Sequence, residues 1–151
     1  MAPEPQSRPS AVSGAAEARR ASNLASTLDG YCKSLADGDV ERVLDFYRDD
    51  AIIVDLIRHR VFSSLEERRE HLEEWAHGYQ YLELTQREVL PAGDHVALKW
   101  TLRGTTRDGE PVCLRGVDIL VVDRQGRIRG QWGTFHEVGA RSGCARSGCA
   151  G

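Results

Sequence analysis

Two aspartates stand where the sequence otherwise places apolar side chains. In "AIIVDLI", residues 51–57, Asp55 interrupts Ile52, Ile53, Val54, Leu56 and Ile57. In "LRGVDILVVD", residues 114–123, Asp118 sits among Val117, Ile119, Leu120 and Val121. An ionised carboxylate buried without partners is costly, or it takes up a proton. Strand periodicity sets Asp55 on one face with Ile53 and Ile57, and Asp118 on one face with Leu114 and Leu120. Tyr31 lies on a helical apolar stripe with Leu24, Leu28 and Leu35. If helix and sheet close over one another, Tyr31, Asp55 and Asp118 point into one pocket. Two carboxyls in a dry pocket do not share one pKa: one stays ionised as a base while the other is held neutral as a donor. That pair suits proton abstraction next to a carbonyl, or acid–base opening of a strained ring. Each residue also has a plain structural reading. Tyr31 packs as core with its hydroxyl on a carbonyl. Asp55 binds backbone N–H groups or pairs with Arg58 or Arg60. Asp118 accepts from an indole, Trp132 being the nearest choice in sequence.

The elements that must position these residues are marked along the chain. Residues from about 16 to 36 read as one amphipathic helix, stopped by Gly38. Asp39 caps a second, shorter helix with Val40, Val43, Leu44 and Tyr47 on one face. Residues 51–57 read as a strand. Ser64 with Glu67 forms a capping box for a third helix, which carries Leu65, Leu72, Trp75 and Tyr79 and runs to Gly78. The period then changes to two, and residues 80–90, 95–106, 112–122 and 127–137 read as strands joined by the turns "PAGD", "RDGEP" and "DRQG". Short links of this kind make antiparallel hairpins. The layout is α+β, with helices on one side of a curved sheet. The strand at 112–122 is apolar on both faces, so both are covered: one by helices, the other, around Val117, Ile119 and Val121, by a second copy of the chain.

Length and composition suit one soluble domain, expected over residues 19–139, between a disordered leader (1–18) and a disordered Gly/Ser-rich tail (140–151). A net charge of −3 without a Lys/Arg block gives no footprint for nucleic acid. No apolar run approaches the roughly 20 residues that cross a bilayer, and the N-terminus lacks the apolar segment of a secretory signal. A cytoplasmic protein with reduced thiols is expected. Cys32 and Cys113 read as small apolar residues, and Cys144 and Cys149, in a repeated "ARSGC", have the wrong spacing for zinc. Neither a metal nor a cofactor is expected.

The stretch "YCKSLADGDVERVLDFYRDDAIIVD" resembles the opening of the ketosteroid isomerases, within the NTF2-like, SnoaL-like superfamily. The shared pattern is a helical Tyr (Tyr31), a Gly-Asp helix break (Gly38-Asp39), Tyr47, Asp49-Asp50-Ala51, and Asp55 four residues on. "GVDILVVDRQGRIRGQWGTFHE" resembles the family's hydrophobic-Asp-hydrophobic strand and the strand that follows it. The resemblance spans about residues 20–138. It implies a cone-shaped α+β barrel of three N-terminal helices on a curved, mostly antiparallel sheet, usually dimeric, around a deep pocket for a hydrophobic small molecule. It further implies Asp55 as general base, with Tyr31 and a protonated Asp118 donating hydrogen bonds to an enolate oxygen. The superfamily also holds polyketide cyclases and epoxide-opening enzymes that reuse such carboxylates, and fold alone leaves room for a non-catalytic binding module. Where the isomerases continue Pro-Val-Gly after the base, this chain reads Leu56-Ile57-Arg58-His59, and Ser63-Ser64 replaces a Gly before the third helix. Arg58, His59 and Arg60 therefore bring charge to the pocket mouth or form a solvated loop. Trp100, His136, Trp132 and Leu120 are the candidate substrate-lining residues.

Overall fold

A computed structural model describes residues 11–138. Helix α1 (Ala11–Asp37) begins earlier than the apolar stripe predicts, and residues 11–18, expected in the leader, are helical. Residues 14–23 of this helix are exposed, so Ala, Glu and Arg carry it there by intrinsic propensity rather than by packing. The rest of the expected leader and the whole tail, with Cys144 and Cys149, lie outside the described residues. Gly38, with φ +69, ends α1, and Asp39 caps α2 (Val40–Leu44) by accepting from the Arg42 N–H at 3.2 Å. Tyr47, expected on that helix, instead opens strand β1 (Tyr47–Asp55). A short strand β2 (Arg60–Phe62) follows that periodicity did not reveal, since three residues carry no readable pattern. Helix α3 (Leu65–His77) starts on the Ser64/Glu67 capping box. The meander is β3 (Tyr79–Ala92), β4 (His95–Thr106), β5 (Pro111–Val122) and β6 (Ile128–Glu137).

The six strands form one sheet in the order β2-β1-β6-β5-β4-β3. All neighbours are antiparallel except β1 and β6, which run parallel at its centre. The sheet is curved but unclosed, with β2 and β3 as edges, so the cone is not a complete barrel. The helices lie on the concave face. Leu28, Tyr31, Val43, Ile53, Leu72, Leu98 and Leu120 meet there in one buried core. Among the described residues no helix is long and apolar enough to cross a membrane. Cys32 is a buried free thiol, whereas Cys113 is disulfide-bonded rather than a thiol packed as an apolar residue.

Strand β1 is irregular in a way that matters for the site. Tyr47 pairs with Ile128 and Ile52 with Gly130, so residues 48–51 bulge out of the β1–β6 ladder. Their carbonyls need other donors. Arg68 of α3, 1% exposed, provides them: its guanidinium donates to the carbonyls of Ala51 (2.5 Å), Asp49 (3.1 Å) and Arg48 (3.4 Å), and to Ser63 at 3.2 Å. Removing a donor from buried acceptors costs roughly 1–3 kcal/mol for each group left unpaired. Arg68→Met, which keeps the apolar stem, should therefore destabilise the protein by about 3 kcal/mol in urea unfolding. A loss below about 1 kcal/mol would show that the bulge carbonyls do not depend on it.

Candidate active site

A cavity opens between the concave sheet face, α1 and α3. Tyr31, Asp55, Asp118, Gln131, His71 and Trp75 bring polar atoms to it, and its remaining walls are largely apolar or aromatic. Asp55, Gly133, Asp118 and Leu98 stand in one cross-strand row, on β1, β6, β5 and β4. Asp55 and Asp118 are thus two strands apart with only Gly133 between them, roughly 10 Å from Cα to Cα at ordinary strand spacing. A Cβ at Gly133 would strike Asp118 Oδ1. The glycine keeps open the floor between the two carboxylates.

Asp118 is 6% exposed. Trp100 Nε1 donates to its Oδ2 at 2.9 Å, and the Gln131 side chain also bonds to it. Trp100 reaches it because Gly116, its partner across the β4–β5 ladder, has no side chain where the indole lies. The indole on Asp118 is therefore Trp100 and not Trp132. Burial pushes the Asp118 carboxyl up to about 6, against the pull of the two hydrogen bonds. Both are donated to Asp118, so they favour its carboxylate form and do not match a neutral donor.

Asp55 sits at the end of β1, 7% exposed. Its Oδ1 accepts from the backbone N–H groups of Ile57 (2.9 Å) and Arg58 (3.0 Å), and its Oδ2 is 4.0 Å from Arg58 Nε. The plain structural reading of Asp55 thus applies: it fastens the β1–β2 turn, in which His59 has φ 54. Arg58 also reaches Glu74 of α3 at 3.2 Å, tying that turn to the cavity wall.

Tyr31 is fully buried, and its hydroxyl donates to Gln131 Oε1 at 3.1 Å and lies 3.2 Å from the Tyr47 hydroxyl. Tyr47 also donates to Gln131 Oε1. Burial raises the Tyr31 phenol well above its ordinary value, with Tyr47 and Asp118 adding to the rise. Gln131 is the hub: its amide oxygen takes both tyrosines while its side chain bonds Asp118.

The structure thus brings Tyr31, Asp55, Asp118 and Trp100 to one cavity. Leu120 is buried in the core beneath it, and Trp132 and His136 do not line it. Trp132 pairs with Val54 and Ile119, and His136 with Arg115, on the opposite face of the sheet. Residues missed in the sequence are Gln131, Gly133 and Phe135, which alternate along β6, and His71. The period of two in β6 was visible, but which of its faces meets Asp118 depends on register. Among the described residues, no three His, Cys, Asp or Glu side chains converge to hold a metal ion.

Comparison with known proteins agrees with this geometry. The family model of the SnoaL-like domain matches residues 28–131. No curated protein matches the chain. Among solved structures, a candidate SnoaL-like polyketide cyclase from Shewanella putrefaciens is 17% identical, with TM-score 0.66, over 86% of this chain and 90% of that one. SalBIII, an epoxide hydrolase/cyclase-like enzyme of pyran ring formation in the polyether salinomycin, is 19% identical, with TM-score 0.62, over 80% and 92%. A candidate isomerase from Bacillus subtilis is 12% identical, with TM-score 0.69, over 78% and 88%.

The raised pKa of Asp118 makes a stability prediction. Its ordinary value is 3.8, so between that and about 6 the folded chain holds a proton that the unfolded chain has lost. Its contribution is most favourable below about pH 4 and declines by about 3 kcal/mol as pH rises through 6. Asp118→Asn should remove that decline. Urea unfolding of both proteins at pH 4.5 and 7 measures it, and an unchanged pH slope in the variant would contradict the assignment.

Proposed function

Since the chain belongs to the SnoaL-like domain family, we propose that it is an acid–base enzyme acting on a hydrophobic small molecule, with Asp118 as the group that moves the proton. The observation that carries this reading is a buried carboxyl at about 6, facing Asp55 across Gly133 in a largely apolar cavity. A group with a pKa near the operating pH both accepts a proton and returns it. Asp118 takes the proton from a substrate hydroxyl or from carbon beside a carbonyl, and gives it back to the oxygen that gains charge, so no proton is consumed. Asp55, fixed by two N–H donors, supplies a standing negative charge on the far side of the gap. Ring formation or ring opening fits this relay, and the likeness to SalBIII supports it.

A proton-shifting isomerase is the second reading, favoured by the Tyr31 hydroxyl at the cavity wall. There Asp55 is the base, and Tyr31 and a protonated Asp118 hold the enolate. It requires Tyr31 to leave Gln131 and Asp118 to gain a proton despite two donors. Hydroxy-epoxide and enone panels, followed by NMR in deuterated water, separate the two. On the first reading Asp118→Asn loses roughly 10²–10⁴-fold, Asp55→Asn loses less, and the rate rises with pH through about 6. Deuterium exchange beside a carbonyl, with Asp55→Asn dead and Asp118→Asn active, would sink the first reading in favour of the second.

We also propose that the uncovered sheet face joins two copies of the chain. Val61, Val54, Trp132, Ile119, Ala97 and Leu90 stand in register across all six strands on that face. Val61, Ile119 and Leu90 are exposed, and an apolar row of this length marks an interaction surface. A stable pair should bury at least about 1,000 Å². Sedimentation should give a dimer at micromolar concentration and a monomer for Ile119→Lys; a monomeric native chain would refute it.

A further inference from the structure

Most polar groups of the cavity are bonded within the chain. Asp118 has Trp100 and Gln131, Asp55 has two backbone N–H groups, and Tyr31 has Gln131. Two buried atoms among the described cavity residues are not: His71 Nδ1 and Trp75 Nε1. Buried polar atoms are ordinarily bonded, and an orphaned one weakens the fold. These two lie four residues apart on α3, which places them on one helix face. The rings around them cannot complete them. Trp75 meets Trp100 edge-on at 6.1 Å and Phe135 at 5.3 Å, while His71 stacks on Phe62 at 4.2 Å. None of these rings offers an acceptor where the indole N–H ends.

We propose that the substrate carries a second oxygen, a carbonyl or hydroxyl remote from the reacting atoms, that accepts a hydrogen bond from Trp75 Nε1 and meets His71 Nδ1. An indole N–H can only donate, so the matching ligand atom is an acceptor. Burial lowers the His71 pKa, with Asp55 opposing, which keeps the ring neutral and able to serve either a carbonyl or a hydroxyl. The reacting end lies between Asp118 and Asp55, on the sheet; the second oxygen lies on the α3 side, inside the aromatic wall of Trp75, Trp100 and Phe135. The class of substrate is therefore a ring compound oxygenated at two separated positions. This rests on the cavity being the substrate site, but not on which reaction occurs there.

Two unreactive probes of matched shape test it: 6-acetyl-2-naphthol, which has the second acceptor, and 6-isopropyl-2-naphthol, which does not. Binding is read by fluorescence titration. The acetyl probe should bind the native protein about tenfold more tightly, the scale of one hydrogen bond to a buried donor. Trp75→Phe keeps a ring but loses the N–H, so it should bring the ratio to about one with the isopropyl affinity unchanged. Asp118→Asn should leave the ratio intact, which separates this claim from the proton-transfer reading. Without ligand, Trp75→Phe should melt no lower than the native protein, since it removes an orphaned donor. Equal binding of the two probes, no binding of either, or a tenfold ratio that survives in Trp75→Phe would each overturn the proposal. A lowered melting temperature with the ratio kept would give the indole N–H a structural role instead.

Discussion

Arg68 and the β1 bulge depend on each other, and the site depends on both. The bulge takes the carbonyls of residues 48–51 out of the ladder with β6. Only a long donor fork arriving from α3 can serve so many acceptors from one direction, which is the geometry of a guanidinium. With the bulge held, Tyr47 enters the core beside Tyr31, and eight residues later Asp55 arrives opposite Gly133. Helix α3, which carries Arg68, also carries His71 and Trp75. One buried cation thus fixes the strand that bears a carboxylate and the helix that walls the cavity above it.

The second constraint is subtraction. Gly133 and Gly116 act through side chains they lack: one leaves space between two carboxylates, and the other lets an indole lie across β5 to reach Asp118. The same device recurs on the far face, where the Trp132 ring occupies the space over Gly130. Asp118 carries the cost of this arrangement. A carboxyl lifted to about 6 weakens the fold at neutral pH, and it persists because the surrounding packing exceeds that penalty.

The sequence made the elements legible wherever a local signal existed. Gly38, Asp39, the Ser64/Glu67 box and the turns of the meander all act over a few residues, and the helices and strands begin and end near them. Asp55 and Asp118 were conspicuous because charge in an apolar run is a local anomaly. What was not legible depends on register between distant strands. Trp132 was the nearer indole in sequence, yet Trp100 holds Asp118, since only the β4–β5 pairing puts Trp100 opposite Gly116. Tyr47 read as helical because its spacing fits the α2 stripe, and the bulge that draws it into β1 leaves no mark in composition. Gln131 looked like an ordinary strand polar residue until two tyrosines and a carboxylate met on it.

The parallel pairing of β1 with β6 has a consequence for how the molecule is made. The strand formed from residues 47–55 finds its central neighbour only when residues 128–137 exist. Until then β1 has only the short β2 beside it, and the cavity lacks Gln131, Gly133 and Phe135. Contacts of such long sequence separation form late and slowly. On the ribosome, the helices and the hairpin of β3 and β4 can gather while the middle of the sheet is still missing, and they present apolar surface in the meantime. The last strand translated closes the sheet and completes the pocket in one event, so a nascent chain has no partly formed site with which to engage a ligand before the fold is finished.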